Sequence, residues 1–181
     1  MHKQHRSSTG FTIVELLIVI VVIAILAAIS VVAYRGIQDR ANDSAIQSDL
    51  TNFPKKIQLA AVDTGEFPAG GGRIAVGGAS SGDSTNIPGF TFKPSKEAYV
   101  TTSSNLFYCT GIETASGQNI FRVQARSKSG NSFSYSSNGA IQKLGSTPIS
   151  LVTSCQGISE PYTRAYGYYS ANGTWWSWTN G

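Results

Sequence analysis

Residues 8–35 read STGFTIVELLIVIVVIAILAAISVVAYR, and this stretch decides the fold. From Leu16 to Tyr34, nineteen consecutive residues carry no charge. A membrane-spanning helix needs about 20 predominantly apolar residues, so this run is long enough to cross a bilayer once. Glu15 stands at its front edge, where an ionised carboxylate is costly unless it finds a partner.

The residues ahead of the apolar run form a motif, TGFTIVE at residues 9–15. Followed at once by a membrane-length apolar run, this motif resembles the N-terminal signature of type IV pilins. The resemblance implies that a prepilin peptidase cuts after Gly10 and that Phe11 becomes the N-terminal residue and is N-methylated. It also implies that Glu15 is the glutamate at the fifth position of the mature chain. The match is dense from residue 9 to about Arg40, and beyond it only the layout is similar.

Two other interpretations of the N-terminus stay open. One is an ordinary secretory signal peptide cut after Ala28-Ile29-Ser30, and the other is a signal anchor that is never cut. The apolar region of a secretory signal runs over about 7–15 residues, which is shorter than this run. A glutamate at position 15 would also gain nothing in a discarded peptide. Lys3 and Arg6 in the leader favour a cytoplasmic location for this end of the chain.

Composition favours an exported domain over a cytosolic enzyme. Only 13% of the 181 residues are charged, and glycine, serine and threonine are abundant. The net charge is +4, but two of the cations lie in the leader and would be lost on processing. The basic balance is therefore weak evidence for nucleic-acid binding.

The residue types needed for catalysis are scarce in this chain. Its two histidines, His2 and His5, lie in the leader, so a processed chain has none to act as a general base or a metal ligand. The acidic residues are scattered, and the glycine-rich residues 72–77 are followed by Gly78 where a phosphate-binding loop requires lysine. We therefore predict no enzymatic activity, no cofactor and no metal site.

Cys109 and Cys155 are the two cysteines of the chain. An even pair in an exported domain indicates a disulfide, and the alternative is two buried free thiols. A bridge would close a loop of about 47 residues, for which chain entropy alone gives roughly 4 kcal/mol of stabilisation.

The hydrophobic pattern divides the chain into five segments. They are a leader at 1–10, a transmembrane or filament-core helix half at 11–35, an amphipathic helix half at 36–64, a helix-to-sheet loop at 65–97 and a β-sheet headgroup at 98–181. In the second helix half the apolar residues thin to a stripe, from Ile37 and Ala41 to Ala60. Pro54 predicts a kink or a break there, and Gly65 predicts the end of the helix. Residues 65–97 read as a surface loop with one short strand.

The headgroup has the alternation of an antiparallel sheet. Strands are predicted at 98–102, 106–109, 119–127, 132–136 and 140–144, separated by turn residues. Such a meander has one dry and one wet face, and the amphipathic helix half is the only long element that could cover the dry face. The fold class is therefore α+β, and the arrangement is similar to the pilin fold.

The C-terminal tail is rich in aromatic residues. Asn172-Gly173 favours a type I′ turn, which predicts a hairpin of residues 165–170 and 174–179. The favoured interpretation is cross-strand aromatic packing that secures the sheet edge. The alternative is an exposed strip of Trp175, Trp176 and Trp178 that binds a surface, a sugar or single-stranded DNA.

The resemblance implies a function in assembly. It implies a structural subunit of a type IV pilus or related filament, which serves adhesion, twitching motility or DNA uptake. Such a subunit is a single-pass protein of the cytoplasmic (inner) membrane before assembly and part of an extracellular homo-oligomeric filament afterwards. Its partners are the prepilin peptidase and the pilus assembly machinery. The alternatives are a pseudopilin of a type II-like secretion system and an unprocessed, single-span membrane anchor carrying a binding domain.

Overall fold

The computed structural model describes residues 10–74, 80–81, 86–171 and 173–180. The predicted leader, apart from Gly10, lies outside the described residues. The helices and strands in chain order are α1 (Ile13–Val62), β1 (Gly72–Ile74), β2 (Ser80–Ser81), β3 (Leu106–Ile112), β4 (Asn119–Arg126), β5 (Ser132–Ser136), β6 (Gln142–Gly145), α2 (Leu151–Ser154), β7 (Tyr162–Tyr169) and β8 (Thr174–Trp175). Two short 3₁₀ turns add Lys96–Ala98 and Ser177–Thr179. The long helix followed by an antiparallel sheet confirms the predicted α+β class.

Helix α1 ends where the sequence predicts. Gly65 has a φ of +73°, a conformation that costs glycine little, and its N–H donates to the Ala61 carbonyl over 2.8 Å. The expectation of a break at Pro54 is wrong, because α1 continues through this residue to Val62. Pro54 is itself buried beside Phe53, and packing against the head offsets the lost backbone hydrogen bond.

The chain forms two compact units, one ending at Gln38 and the other beginning at Asp39. In the first unit the large apolar side chains of α1 from Ile13 onward are exposed, with fractions from 47% at Val21 to 84% at Ile13. Of the described residues, α1 is the one helix long and apolar enough to cross a membrane, judged by length and composition. The predicted stripe starts too early, because Ile37 is exposed as well.

The second unit contains one antiparallel sheet. Its strands are ordered β2-β1-β7-β3-β4-β5-β6, and β8 pairs with β7 on the side away from β3. Strands β3 to β6 form the predicted meander. The strand expected at 98–102 is wrong: this segment forms a 3₁₀ turn and one bridge between Tyr99 and Ser127. The second strand of the tail hairpin is also shorter than predicted, because β8 ends at Trp175.

The main core lies between α1 and the inner face of the sheet. Four helix residues spaced by four, three and four positions are buried there: Ile46, Leu50, Phe53 and Ile57. They meet alternate strand residues, which are Leu106, Tyr108, Phe121, Val123, Ala125, Phe133 and Ala165. The amphipathic helix half therefore covers the dry face, as its pattern predicts.

The helix-to-sheet loop contributes to the core as well as to the surface. Ile87, Phe90 and Phe92 are buried in the main cluster, so the expectation of a surface loop is wrong for this part. The Phe92 N–H donates to the carbonyl of Trp178 over 2.6 Å, which ties the loop to the C-terminal tail. Apolar residues between turn residues do not form a periodic pattern, so sequence periodicity gave no signal for them.

The outer face of the sheet is not uniformly wet, contrary to the prediction. Cys109 and Ile120 on this face pack against Cys155 and Ile158 in a second buried cluster. The segment that contains α2 covers this part of the sheet because the disulfide holds it there.

Candidate assembly surface

The start of α1 is a reciprocal hydrogen-bonded cap. The Thr12 N–H and hydroxyl both donate to Oε2 of Glu15, over 2.9 and 2.7 Å. The Glu15 N–H donates to the Thr12 hydroxyl over 3.2 Å. This is a capping box, in which a threonine and a glutamate three positions later satisfy each other's backbone donors. Both hydrogen bonds to the carboxylate fall on Oε2, which leaves Oε1 without an intrachain partner among the described residues.

Gly10 and Phe11 lie immediately before this cap and are exposed. Because α1 begins at Ile13, a cut between Gly10 and Phe11 would leave Thr12 and Glu15 together on the same product. The helical residues that follow present apolar side chains around the whole circumference of the helix. Between Ile13 and Ala33 the one hydroxyl, on Ser30, donates to the carbonyl of Leu26 over 2.8 Å and so presents no free donor.

Asp43 anchors the head part of α1 to the β4–β5 turn. Its carboxylate accepts hydrogen bonds from the Ser129 hydroxyl at 2.5 Å and from the Asn131 side-chain amide at 2.7 Å, and Lys143 lies 3.7 Å away. Burial acts to raise the pKa of Asp43. The net shift is nevertheless downward, because the carboxylate is stabilised by these two hydrogen bonds, by a third from Ser127 and by the positive charge of Lys143. The charged form of Asp43 therefore stabilises the fold.

Asp49 forms a second anchor, one that is more deeply buried, with 7% of its surface exposed. It accepts hydrogen bonds from the Ser95 N–H at 2.7 Å, the Ser95 hydroxyl at 3.1 Å and the Tyr99 hydroxyl at 3.0 Å. Burial raises the pKa of Asp49 in spite of these donors. Burial and the charge of Asp49 raise the pKa of Tyr99 well above its usual value, so this hydroxyl stays protonated and donates.

Sequence reasoning missed both anchors. It predicted an amphipathic helix at residues 36–64, with an apolar stripe on one face and polar residues on the other. A single carboxylate near such a stripe is typical of the solvated face. Asp43 and Asp49 bond to segments 46 or more residues away in the chain. A signal was present in hindsight: Asp49 stands immediately before Leu50, a stripe residue, where solvation would be incomplete.

The aromatic tail packs inward more than it faces solvent. Trp178 is 1% exposed, and its indole N–H donates to the carbonyl of Tyr166 over 2.6 Å. Trp175 and Trp176 are half-buried, and Trp175 meets the ring of Tyr99 edge-on at a centroid distance of 5.3 Å. The alternative of an exposed strip is therefore wrong for Trp178, because its ring is part of the buried core. Asn172 of the predicted turn lies outside the described residues.

Cys109 and Cys155 are bonded to each other, with their Cα atoms 5.6 Å apart. The bond joins the middle of β3 to the residue after α2. Within the described ranges no three or more histidine, cysteine, aspartate or glutamate side chains are grouped so that they could hold a metal ion.

Comparison with known proteins supports the resemblance at the N-terminus. A family model described as the prokaryotic N-terminal methylation motif matches residues 5–31. The chain is similar to the type IV wide pilus major component PilA4 of Thermus thermophilus, with 37% identity over 62 residues. The similar part is 34% of this chain and 47% of that protein, so the chain matches about half of its relative's length. No solved structure matches the chain significantly.

Proposed function

We propose, from this confirmed resemblance to type IV pilins, that the chain is a structural subunit of a type IV pilus or a related filament. One observation carries the proposal. An N-terminal methylation motif leads directly into α1, and the part of α1 in the first unit exposes its large apolar side chains. The same helix continues into a folded head that has a buried core of its own. An apolar helix surface that none of the described residues covers must be buried in lipid or against other subunits.

The apolar surface of α1 drives polymerisation in this proposal. Before assembly the bilayer covers the segment, which makes the subunit a single-pass membrane protein. Once the subunit leaves the membrane for the cell surface, the same side chains need cover from neighbouring helices. Compared with exposure to water, full burial of a valine, leucine or isoleucine side chain contributes roughly 1.5–3 kcal/mol, so outside the membrane an uncovered helix would be strongly disfavoured.

Glu15 sets the register of the neighbouring helices. Cleavage after Gly10 would create a positively charged amine at Phe11. Oε1 of Glu15, to which no described residue donates, can accept a hydrogen bond from this amine of an adjacent subunit while Oε2 keeps its bonds to Thr12. Both charges are costly when they are buried alone in an apolar bundle, so the pair favours the one register in which they meet.

The experiment that tests processing is intact-mass measurement and N-terminal peptide mapping of the protein recovered from cells. A chain that begins at Phe11, with or without one added methyl group, is expected. A chain that still begins at Met1 would instead indicate an unprocessed membrane anchor with a binding head, and the argument about Glu15 would fall with it.

The register role of Glu15 is tested by Glu15→Gln, because glutamine keeps an acceptor for the Thr12 cap and removes only the charge. We expect the fraction of subunits found in sheared filaments to drop at least tenfold, with the amount of subunit in the membrane unchanged. Asp63→Asn is the matched control, since it neutralises an exposed carboxylate just beyond the end of α1. Normal filament yield from Glu15→Gln would contradict the register role.

A further inference from the structure

A polar groove of about 450 Å³ lies on the outer face of the sheet, away from α1. Its lining is made mostly of hydroxyl, amide and guanidinium groups: Arg122, Gln124, Ser134, Ser136, Asn138, Gln142, Thr153 and Gln156. Nothing in the assembly proposal uses these residues. The volume lies within the range of about 300–1,000 Å³ that is typical of small-molecule sites.

The strand register explains why a groove forms here. Ser134 on β5 lies directly between Gln124 on β4 and Gln142 on β6, and Ser136 pairs with Arg122 in the next row. Directly opposed residues on one face of a sheet have neighbouring side chains. Short serines on the middle strand, between longer side chains on both flanking strands, therefore leave a trough above β5.

One wall of the trough is held in place by the disulfide segment. The guanidinium of Arg122 donates to the carbonyl of Gln156, and the Ser154 hydroxyl donates to Oε1 of Gln124 over 2.9 Å. The Cys109–Cys155 bond fixes the same segment to β3. The wall is therefore preorganised, which reduces the ordering cost of binding a ligand.

The floor of the groove presents a hydroxyl that a ligand can reach. Ser134 lines the groove and has 9% of its surface exposed. Its hydroxyl is not one of the sealed, unpartnered polar atoms of the described residues. A ligand that enters the groove can therefore exchange a hydrogen bond with it.

The charges near the groove are balanced. Among the described residues that line the groove, Arg122 is the one cation. Its positive charge acts on the nearby carboxylate of Glu113. Hydrogen bonds from Ser116 and Asn138, with the charge of Arg122, lower the pKa of Glu113, so it is ionised at neutral pH. An anionic ligand would gain the attraction of Arg122 and meet the repulsion of Glu113.

We propose that this groove is a binding site for a neutral saccharide of one or two sugar units. Such a ligand presents many hydroxyl donors and acceptors and no charge, which matches a lining of serines, glutamines and an asparagine. An added polypeptide strand would pair with the open backbone edge of β6, whereas this groove presents side chains above the middle of β4, β5 and β6. The proposal does not depend on filament assembly.

The test uses the full-length chain in micelles of a sugar-free detergent, with maltose, lactose and diacetylchitobiose as probes. Saturation-transfer NMR is expected to show contact with at least one of them. Ser134→Val, which fills the floor, is expected to weaken binding of this probe at least tenfold. Thr174→Val, at an exposed strand position outside the groove, should bind as the wild type does.

Gln142→Ala keeps the test decisive if Ser134→Val fails to fold, because Gln142 is exposed on the edge strand. This variant is expected to weaken binding several-fold. The proposal is overturned if the wild type contacts none of the three neutral probes, or if the groove variants bind as tightly as the wild type. Contact with a sulfated disaccharide or a serine-rich peptide alone would overturn it too, and would assign the groove to that other class of ligand.

Discussion

Phe53 packs helix α1 against the rest of the head, and we expect its replacement by alanine to lower the stability of the head strongly. It is 1% exposed and its ring meets those of Phe90, Phe92, Tyr108 and Trp178, at centroid distances of 5.4, 5.0, 5.7 and 5.8 Å. The contacts join α1 to the helix-to-sheet loop, the sheet and the tail. Phe53→Ala removes all of them at once and leaves a cavity that rigid neighbours cannot close.

The expected loss follows from these contacts. Truncation of a buried phenylalanine to alanine costs about 3–5 kcal/mol, and each aromatic pair contributes about 0.5–1.5 kcal/mol beyond its buried area. Because four pairs are lost, we expect a value in the upper half of this range, about 4–5 kcal/mol. At about 2–4 °C per kcal/mol for a chain of this size, the midpoint of thermal unfolding should fall by roughly 8–20 °C.

The assay is thermal unfolding of the full-length chain in detergent, followed by near-ultraviolet circular dichroism, which reports the packed tryptophans and tyrosines of the head. Leu59→Ala is the matched control, because Leu59 lies on the same helix and is 72% exposed. It should change stability by no more than about 0.5 kcal/mol. Phe53→Leu should give an intermediate loss. A loss below about 1 kcal/mol for Phe53→Ala, or an equal loss for the control, would refute the conclusion that this helix face secures the head.

Three further predictions concern the stability of the head. Replacing Cys109 and Cys155 together by alanine should cost about 4 kcal/mol in denaturant unfolding, because the bond closes a loop with a sequence separation of 46; a loss below about 1 kcal/mol would contradict this. Burial raises the pKa of Asp49, so the folded chain holds this proton more tightly than the unfolded chain does. The free energy of unfolding of the wild type, relative to that of Asp49→Asn, should therefore fall as the pH rises from below 3.8 through the raised pKa. The free energy of unfolding of the wild type, relative to that of Asp43→Asn, should instead fall as the pH drops through the lowered pKa of Asp43. If the two differences changed with pH in the same direction, the roles given to the two aspartates would be wrong. Gly65→Ala should cost about 1 kcal/mol in thermal unfolding, because φ is +73° there although the space is open, and an unchanged midpoint would refute the cap.

The sequence predicted local features well where a short-range physical rule applies. Gly65 ends α1 because glycine tolerates the left-handed conformation of a helix cap. The alternation in β4 placed Phe121, Val123 and Ala125 on the buried face. The pairing of Cys109 with Cys155 followed from there being two cysteines in a chain of exported character.

The failures share a cause, which is that long-range packing overrides a local rule. Pro54 predicts a kink or a break, yet the helix does not break there, because burial against the head keeps α1 continuous through it. The helix-to-sheet loop is predicted to lie on the surface, yet its Phe90 and Phe92 are buried in the core. Residues 98–102 alternate like a strand, yet only Tyr99 pairs, as a single bridge.

The sequence by itself determined the helix, the α+β class and the resemblance on which the assembly proposal rests. Each of these depends on residues that are close together in the chain: a charge-free run, a capping glycine and an alternation with a period of two residues. Only the tertiary structure decided which polar groups are buried. Asp49 meets Ser95 and Ser134 lies between two glutamines because separate segments are brought together by the sheet and the disulfide. Hydrogen bonding and desolvation act over a few ångströms in space, and distance along the chain does not predict them.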